Sequence, residues 1–236
     1  MTSVPKESLS ELHGEQLDAA LGRRWVTAME DVEVGDARWS LLKPANADHL
    51  ISEADYVMDE RLPYWADLWP SARVLASTLL REVGAGRRLL ELGCGVGLAT
   101  IAAMHAGFDV TATDYYDDAL HVTRGNAARN LGREPRVQLV NWREWPDTLG
   151  TFDVVMAADV LYEKEYATLV AACIARALAP HGTALVADPG RLALPDFRTS
   201  IREHGLEIAS VYTERYEAGA VKQEVQVMEI KRVLST

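Results

Sequence analysis

With 236 residues, 48% of them hydrophobic, the chain is long enough for one large α/β domain and short for two. A net charge of −11, with no basic cluster longer than Arg23-Arg24 or Arg87-Arg88, argues against a nucleic-acid backbone as the main partner, because phosphates demand grouped cations. Cys94 and Cys173 are too few for a disulfide framework or a metal cluster, no apolar run approaches the ~20 residues of a membrane span, and residues 1–10 lack the apolar core of a signal peptide, so a cytoplasmic, metal-free protein is expected.

Residues 1–22 read as a polar arm with a short helical segment around 9–21. Strand-like runs then flank a turn dipeptide: Trp25-Val26-Thr27-Ala28-Met29 and Val32-Glu33-Val34, then Gly35-Asp36, then Ala37-Arg38-Trp39-Ser40-Leu41-Leu42. This pattern predicts a β-hairpin over 25–43, outside the main sheet. A short helix is expected over 46–58, capped by Asn46. Residues 1–60 form an N-terminal extension on this reading, and 61–236 the main domain. Next comes Leu62-Pro63-Tyr64-Trp65-Ala66-Asp67-Leu68-Trp69-Pro70. Pro70 suits the first turn of a helix, here reaching about residue 83 with Val74, Leu75, Thr78 and Leu79 on its apolar face. Tyr64, Trp65 and Trp69 read equally as core anchors or as walls of a site.

Leu89-Leu90-Glu91-Leu92-Gly93-Cys94-Gly95-Val96-Gly97-Leu98 reads as a strand, a tight glycine turn and a helix start. Glycine lets a backbone bend sharply and a ligand approach closely, and the free N–H groups of a helix start add a slightly positive lining. A dinucleotide fingerprint is G-x-G-x-x-G. Here the third glycine comes one residue early and Leu98 stands in its place. Glu91 would repel a pyrophosphate and suits a cationic ligand; S-adenosylmethionine carries a sulfonium and an ammonium and no phosphate. Cys94 reads as a small packing residue in the turn, not as a nucleophile.

Strand patterns follow at 88–91, 109–113, 136–140, 152–157 and 182–188, alternating with helix patterns at 97–106, 117–130, 164–179 and 195–204. This alternation predicts an α/β fold, a Rossmann-like, doubly wound, mostly parallel sheet. The tail breaks the pattern: 206–212 and 221–233 read as an antiparallel strand pair joined through Glu217-Ala218-Gly219. Ligands bind outside the carboxyl ends of strands in such sheets. At those ends stand Thr113-Asp114, Asn141-Trp142, Ala158-Asp159-Val160-Leu161-Tyr162 and Asp188-Pro189-Gly190-Arg191. Asp114 has the acceptors for two ribose hydroxyls and Trp142 the face for an adenine, though Asp114 and Asp159 also fit helix caps and Trp142 the core.

Together these motifs resemble the class I, seven-β-strand S-adenosylmethionine-dependent methyltransferases. Within them the chain is similar to methyltransferase family 16, which contains many protein-lysine methyltransferases, over about residues 60 to 232. The resemblance implies a seven-stranded sheet, S-adenosylmethionine as methyl donor and S-adenosylhomocysteine as product. It implies cofactor contacts from Trp69, Glu91, Gly93, Cys94, Gly95, Gly97, Asp114, Tyr115, Trp142 and Ala158. Asp159 and Tyr162, from the D-x-x-Y motif, are the residues expected to orient the acceptor, Asp159 alternatively touching the cofactor or only holding the loop. Tyr64, Trp65 and Arg191 are expected at the substrate. The Asp-Pro-Gly-Arg and Pro-Tyr-Trp-Ala stretches are similar to a branch holding electron-transfer-flavoprotein β-subunit lysine methyltransferases, also labelled nicotinamide N-methylase-like; that branch has Gly-Gly after Trp-Pro where this chain has Ser71-Ala72. A protein lysine is thus the preferred acceptor. A small-molecule N- or O-methyltransferase and a non-catalytic cofactor-binding module are the alternatives.

Overall fold

The computed structural model describes residues 9–50 and 63–233. A helix α1 (Gly14–Arg24) leads into a hairpin of β1 (Thr27–Val34) and β2 (Ala37–Pro44), which form a two-stranded sheet of their own. The hairpin closes at Val34↔Ala37, with Gly35 at φ 57° supplying the left-handed residue of the tight turn. Asn46 does accept from the Asp48 N–H, at 2.8 Å, but the segment it starts is a 3-10 turn, Ala47–Leu50, rather than a helix; positions 51–58 of that expectation lie outside the described residues.

The main sheet has seven strands in the order β5-β4-β3-β6-β7-β9-β8. Its parallel part is β3 (Arg88–Leu92), β4 (Asp109–Asp114), β5 (Arg136–Leu139), β6 (Phe152–Ala158) and β7 (Leu178–Asp188). The closing pair, β8 (Leu206–Ala218) and β9 (Val221–Arg232), runs antiparallel, with β9 against β7. Helices α2 (Pro70–Leu80), α3 (Leu98–His105), α4 (Asp117–Leu131), α5 (Tyr166–Ala177) and α6 (Leu194–Glu203) cover the two faces.

Strand β3 shows how the pleat builds this layering. Leu89 belongs to one core, with Leu75, Leu79 and Ile101; Leu90 and Leu92 belong to the other, with Val170, Ile174 and Phe197. Several boundaries differ from expectation: β8 runs on to Ala218 instead of ending at 212, because Glu217 and Ala218 still pair with Lys222 and Val221, and α1 spans Gly14–Arg24 rather than about 9–21. Helix α2 stops at Leu80, because the following chain docks on the end of α3: the Gly84 N–H donates to the Ala106 carbonyl at 2.8 Å. Strand β7 starts at Leu178 instead of 182, taking the end of the expected helix, because Leu178 pairs with Phe152 across an irregularity in the ladder.

The hairpin is bonded to α4 through side-chain amides. Asn126, fully buried, accepts from the Leu42 N–H at 2.7 Å and donates to the carbonyls of Leu42 and Val96, both at 2.9 Å. Asn130 repeats the clasp on Ser40. Trp39, Leu41, Val32 and Val34 share a core with α1, α3 and α4. Through the Val96 carbonyl, Asn126 ties the extension to the glycine loop. Among the described residues no helix is long and apolar enough to cross a membrane.

Candidate functional site

Strand order turns at β3: β4 and β5 lie on one side of it, β6 and β7 on the other. A cavity opens at the carboxyl ends of these strands, as the doubly wound geometry dictates, and holds about 1090 Å³ of space including its mouth, room for a nucleoside-sized ligand.

The glycine loop leaves β3 with positive φ at Gly93 (75°), Gly95 (53°) and Gly97 (88°), a path that side-chain-bearing residues resist. The three glycines serve different ends. A Cβ on Gly93 would lie 3.3 Å from Val160 and 3.7 Å from Trp142, within the cavity wall. On Gly95 it would approach the Trp65 carbonyl at 3.1 Å. On Gly97 it would strike Thr123 of α4, 2.8 Å from Oγ1. Gly97, expected at the cofactor, is therefore absent from the cavity lining and serves the packing of α3 on α4.

The loop's N–H groups are largely consumed within the protein, which corrects the expectation of a free, positive lining. Gly93 and Cys94 both donate to the Thr113 carbonyl at 2.9 Å, and Gly97 to the Cys94 carbonyl. Gly95 donates to Oδ2 of Asp114 at 3.0 Å. At the start of α3 the Thr100 hydroxyl and N–H both donate to the Glu91 carboxylate. Glu91 thereby occupies the helix N-terminus that a phosphate would otherwise use. Burial pushes its carboxyl up to about 8, against the opposing pull of the Thr100 bonds and with Asp114 adding to the rise. Asp114 is likewise pushed up, to about 6, by burial, opposed by the N–H groups of Tyr116, Gly95 and Tyr115. Burial raises the Cys94 thiol well above its ordinary value, so it stays protonated and inert.

A continuous line of aromatic rings walls the other side. Trp69 meets Tyr64 at 6.0 Å, Tyr64 meets Tyr162 at 4.9 Å, Tyr162 meets Tyr166 at 5.0 Å and Tyr166 meets Trp142 at 5.4 Å, all edge to face. Burial pushes the Tyr162 phenol far above its ordinary range, so its hydroxyl stays neutral, bonded to that of Tyr166. Trp65 is a core residue as well as a wall: its ring packs on Trp25 at 5.8 Å and on Tyr116 at 6.5 Å.

At the end of β6, Asp159 takes a left-handed backbone, φ 59°, unusual for a residue other than glycine. Its N–H donates to the Ala187 carbonyl, and its buried carboxylate accepts from Nε of Arg191 at 2.6 Å and from the Ser71 hydroxyl at 3.2 Å. The Arg191 guanidinium also lies 5.2 Å from the centre of the Trp69 ring. Asp188 aims the arginine by accepting from the Gly190 and Arg191 N–H groups at 2.7 and 2.8 Å.

Every expected site residue except Gly97 and Arg191 lines the cavity. Arg191, expected at the substrate, is turned onto Asp159 because the carboxylate beside it offers a charge partner. Asn141 and Val160, named within the strand-end stretches, also line the cavity, whereas Ser71, Thr100 and Tyr166 matter at or behind the wall and were not singled out by the sequence; of these only Ser71, by its departure from Gly-Gly, carried a signal.

Residues 64–193, more than half of the chain, match the family model described as lysine methyltransferase. The chain belongs to the lysine methyltransferase family. The electron transfer flavoprotein beta subunit lysine methyltransferase of Danio rerio is 35% identical over 138 residues, 57% of this chain and 53% of that protein. The chain spans about half the length of this curated relative and of its Xenopus laevis counterpart. Among solved structures, the ribosomal protein L11 methylase of Lactobacillus delbrueckii subsp. bulgaricus superposes with a TM-score of 0.55 at 23% identity, covering 70% of this chain and 80% of that one. The magnesium protoporphyrin IX methyltransferase of Synechocystis, solved with bound SAM, superposes at 0.56 and 18% identity, covering 79% and 94%. These structures share the fold.

Proposed function

We propose that the protein is an S-adenosylmethionine-dependent N-methyltransferase whose preferred acceptor is a protein lysine side chain. The observation that carries this reading is the placement of Glu91. Its side chain fills the helix N-terminus of the cavity, which removes the seat a dinucleotide pyrophosphate needs. The rest of the wall suits an adenosyl group: Asp114 has two buried oxygens for ribose hydroxyls, Trp142 a ring beside Gly93 for the adenine, and the missing Cβ at Gly93 leaves room for close approach. Tyr115, Ala158 and Cys94 complete that wall, and Trp69, also in the lining, is proposed to face the methionine end of the cofactor.

When bound, S-adenosylmethionine supplies an activated methyl group. The protein's part is to orient an uncharged amine and exclude water. Asp159 and Tyr162 are the groups proposed to hold the amine, and Tyr64, Trp65 and Trp69 those that confine it. An acidic surface and a cavity with an open mouth favour a basic protein segment over nucleic acid as the acceptor. The two buried, unpaired cysteines suit a reducing compartment, and the cytoplasm is the proposed place of action.

Incubating the protein with cell extract and methyl-labelled S-adenosylmethionine, then identifying labelled species by mass spectrometry, tests this. Methyl-lysine in a protein fraction is the expected result. Label in a small-molecule fraction would move the acceptor to the alternative class. Tight cofactor binding without any labelled product would leave a non-catalytic module.

A further inference from the structure

The Asp159–Arg191 pair sits at the boundary of the cavity: the Asp159 side chain is 2% exposed and that of Arg191 32%. Asp159 is part of the cavity lining and Arg191 is not, although the guanidinium is the more exposed of the two. The arginine is held by several elements at once. The Asp188 turn fixes its backbone, the Trp69 ring underlies its guanidinium, and Asp159 accepts its Nε. Ser71 holds the second Asp159 oxygen from α2. The left-handed backbone at Asp159 persists because these contacts over-determine it.

A methyl acceptor needs its nitrogen lone pair, and an ammonium has none. An uncompensated carboxylate beside the amine would hold it as the ammonium, since an opposite charge within a few ångströms favours the charged form. Pairing with a guanidinium leaves the carboxylate its hydrogen-bonding capacity and removes most of that bias. The other acids of the wall stand elsewhere: Glu91 and Asp114 are held at the β3–β4 end by the Thr100 hydroxyl and the Gly95 and Tyr116 N–H groups, Asp67 pairs with Lys43 at 3.2 Å, and Glu163 follows Tyr162 on the next stretch of the loop. Asp188 lies outside the lining, fully buried, with Oδ1 committed to the turn.

We propose that Arg191 is a positioning and specificity-determining residue that acts through Asp159, cancelling its charge so that the acceptor end takes an uncharged amine in preference to a cation. The inference rests on the methyltransferase reading above. The acceptor sheds its proton to bulk water before it docks, and Asp159 orients the neutral amine by hydrogen bonding.

Two probes separate this role from simple bracing. S-adenosylhomocysteine is uncharged at sulfur, whereas sinefungin carries an amine-bearing carbon in its place and so points an ammonium at the acceptor end. Their affinities are measured by calorimetry on the full chain, and the sinefungin-to-S-adenosylhomocysteine ratio is the readout. Arg191→Met, which exposes the Asp159 charge, should raise the ratio by about tenfold, the effect of one pKa unit of charge interaction. Asp159→Asn, which leaves the guanidinium uncompensated, should lower it by about as much. Arg191→Lys should stay near wild type. A ratio unchanged in Arg191→Met, or both affinities falling together, overturns the proposal. If Arg191→Met does not fold, Asp159→Asn decides alone, an unchanged ratio being the refuting result. Failure of the wild type to bind either probe would instead refute the methyltransferase reading.

Discussion

The two ends of the cavity are built by different means. At the β3–β4 end, backbone groups do the work: the Gly93, Cys94 and Gly95 N–H groups are spent on Thr113 and Asp114, and α3 presents its N-terminus to Glu91. At the β6–β7 end, side chains far apart in sequence do it: Ser71, Asp159 and Arg191 meet in one cluster, with Trp69 beneath the guanidinium. A backbone-built site is as rigid as the fold that carries it. A side-chain-built site can lose its chemistry while the fold survives. Substitutions at the first end should therefore cost stability or ligand affinity, and those at the second should cost turnover.

The largest contrast is expected at Asp159. Asp159→Asn keeps the shape, and its amide oxygen can still accept from Arg191 while the Ser71 hydroxyl turns to accept from the amide N–H, so the chain should still fold while methyl transfer to the acceptor falls by about a hundredfold or more, as for other lost orienting groups; turnover within a few-fold of wild type would remove Asp159 from the chemistry. Gly97→Ala should do the reverse. A methyl group 2.8 Å from Thr123 Oγ1, on a backbone at φ 88°, faces both overlap and strain. We expect a loss of roughly 3 kcal/mol in denaturant titration; unchanged stability would show that α3 and α4 can shift apart.

Asn126→Ala should be nearly as damaging, about 2–3 kcal/mol, because the buried N–H of Leu42 and the carbonyls of Leu42 and Val96 lose their partners. A variant as stable as wild type would show that water replaces the amide. Asp114→Ala should weaken S-adenosylhomocysteine binding by ~1–3 kcal/mol; unaltered affinity in calorimetry would take Asp114 out of the binding site.

The gentlest expected change is one of slope. Glu91, ordinarily near 4.5, is held up to about 8 by burial, so the folded state keeps its proton longer than the unfolded chain. The stability linked to that proton is complete below 4.5 and is lost as pH rises through about 8. Asp114 acts in the same sense between 3.8 and about 6. Tm of the ligand-free protein should therefore decline as pH rises from about 6 to about 8, and Glu91→Gln should flatten that decline. Parallel curves for the two proteins would contradict it.

Legibility in sequence follows the same division. The alternation of strand and helix, the hairpin at Gly35-Asp36 and the strand-end placement of Asp114, Trp142 and Asp159 were readable because each rests on local periodicity or turn chemistry. Strand ends in a doubly wound sheet share one edge, so residues found there in sequence are neighbours in space. Gly97 shows where this breaks. The motif makes it equivalent to Gly93, yet Thr123, well downstream in α4, decides that it packs helices instead of lining a cavity.

Arg191 shows the same limit. From sequence it is a cation at a strand end, as available to a substrate as to a neighbour. Its commitment to Asp159, and that of Ser71 to the same carboxylate, depends on side chains brought together from β6, β7 and α2 by three-dimensional packing. What the sequence alone determined is the layered sheet, its strand-end edge and the residue types gathered there, because hydrophobic period and glycine spacing act through the local backbone. Only the tertiary structure decided which donor meets which acceptor, because charge pairing is settled by distances between segments that no local pattern encodes.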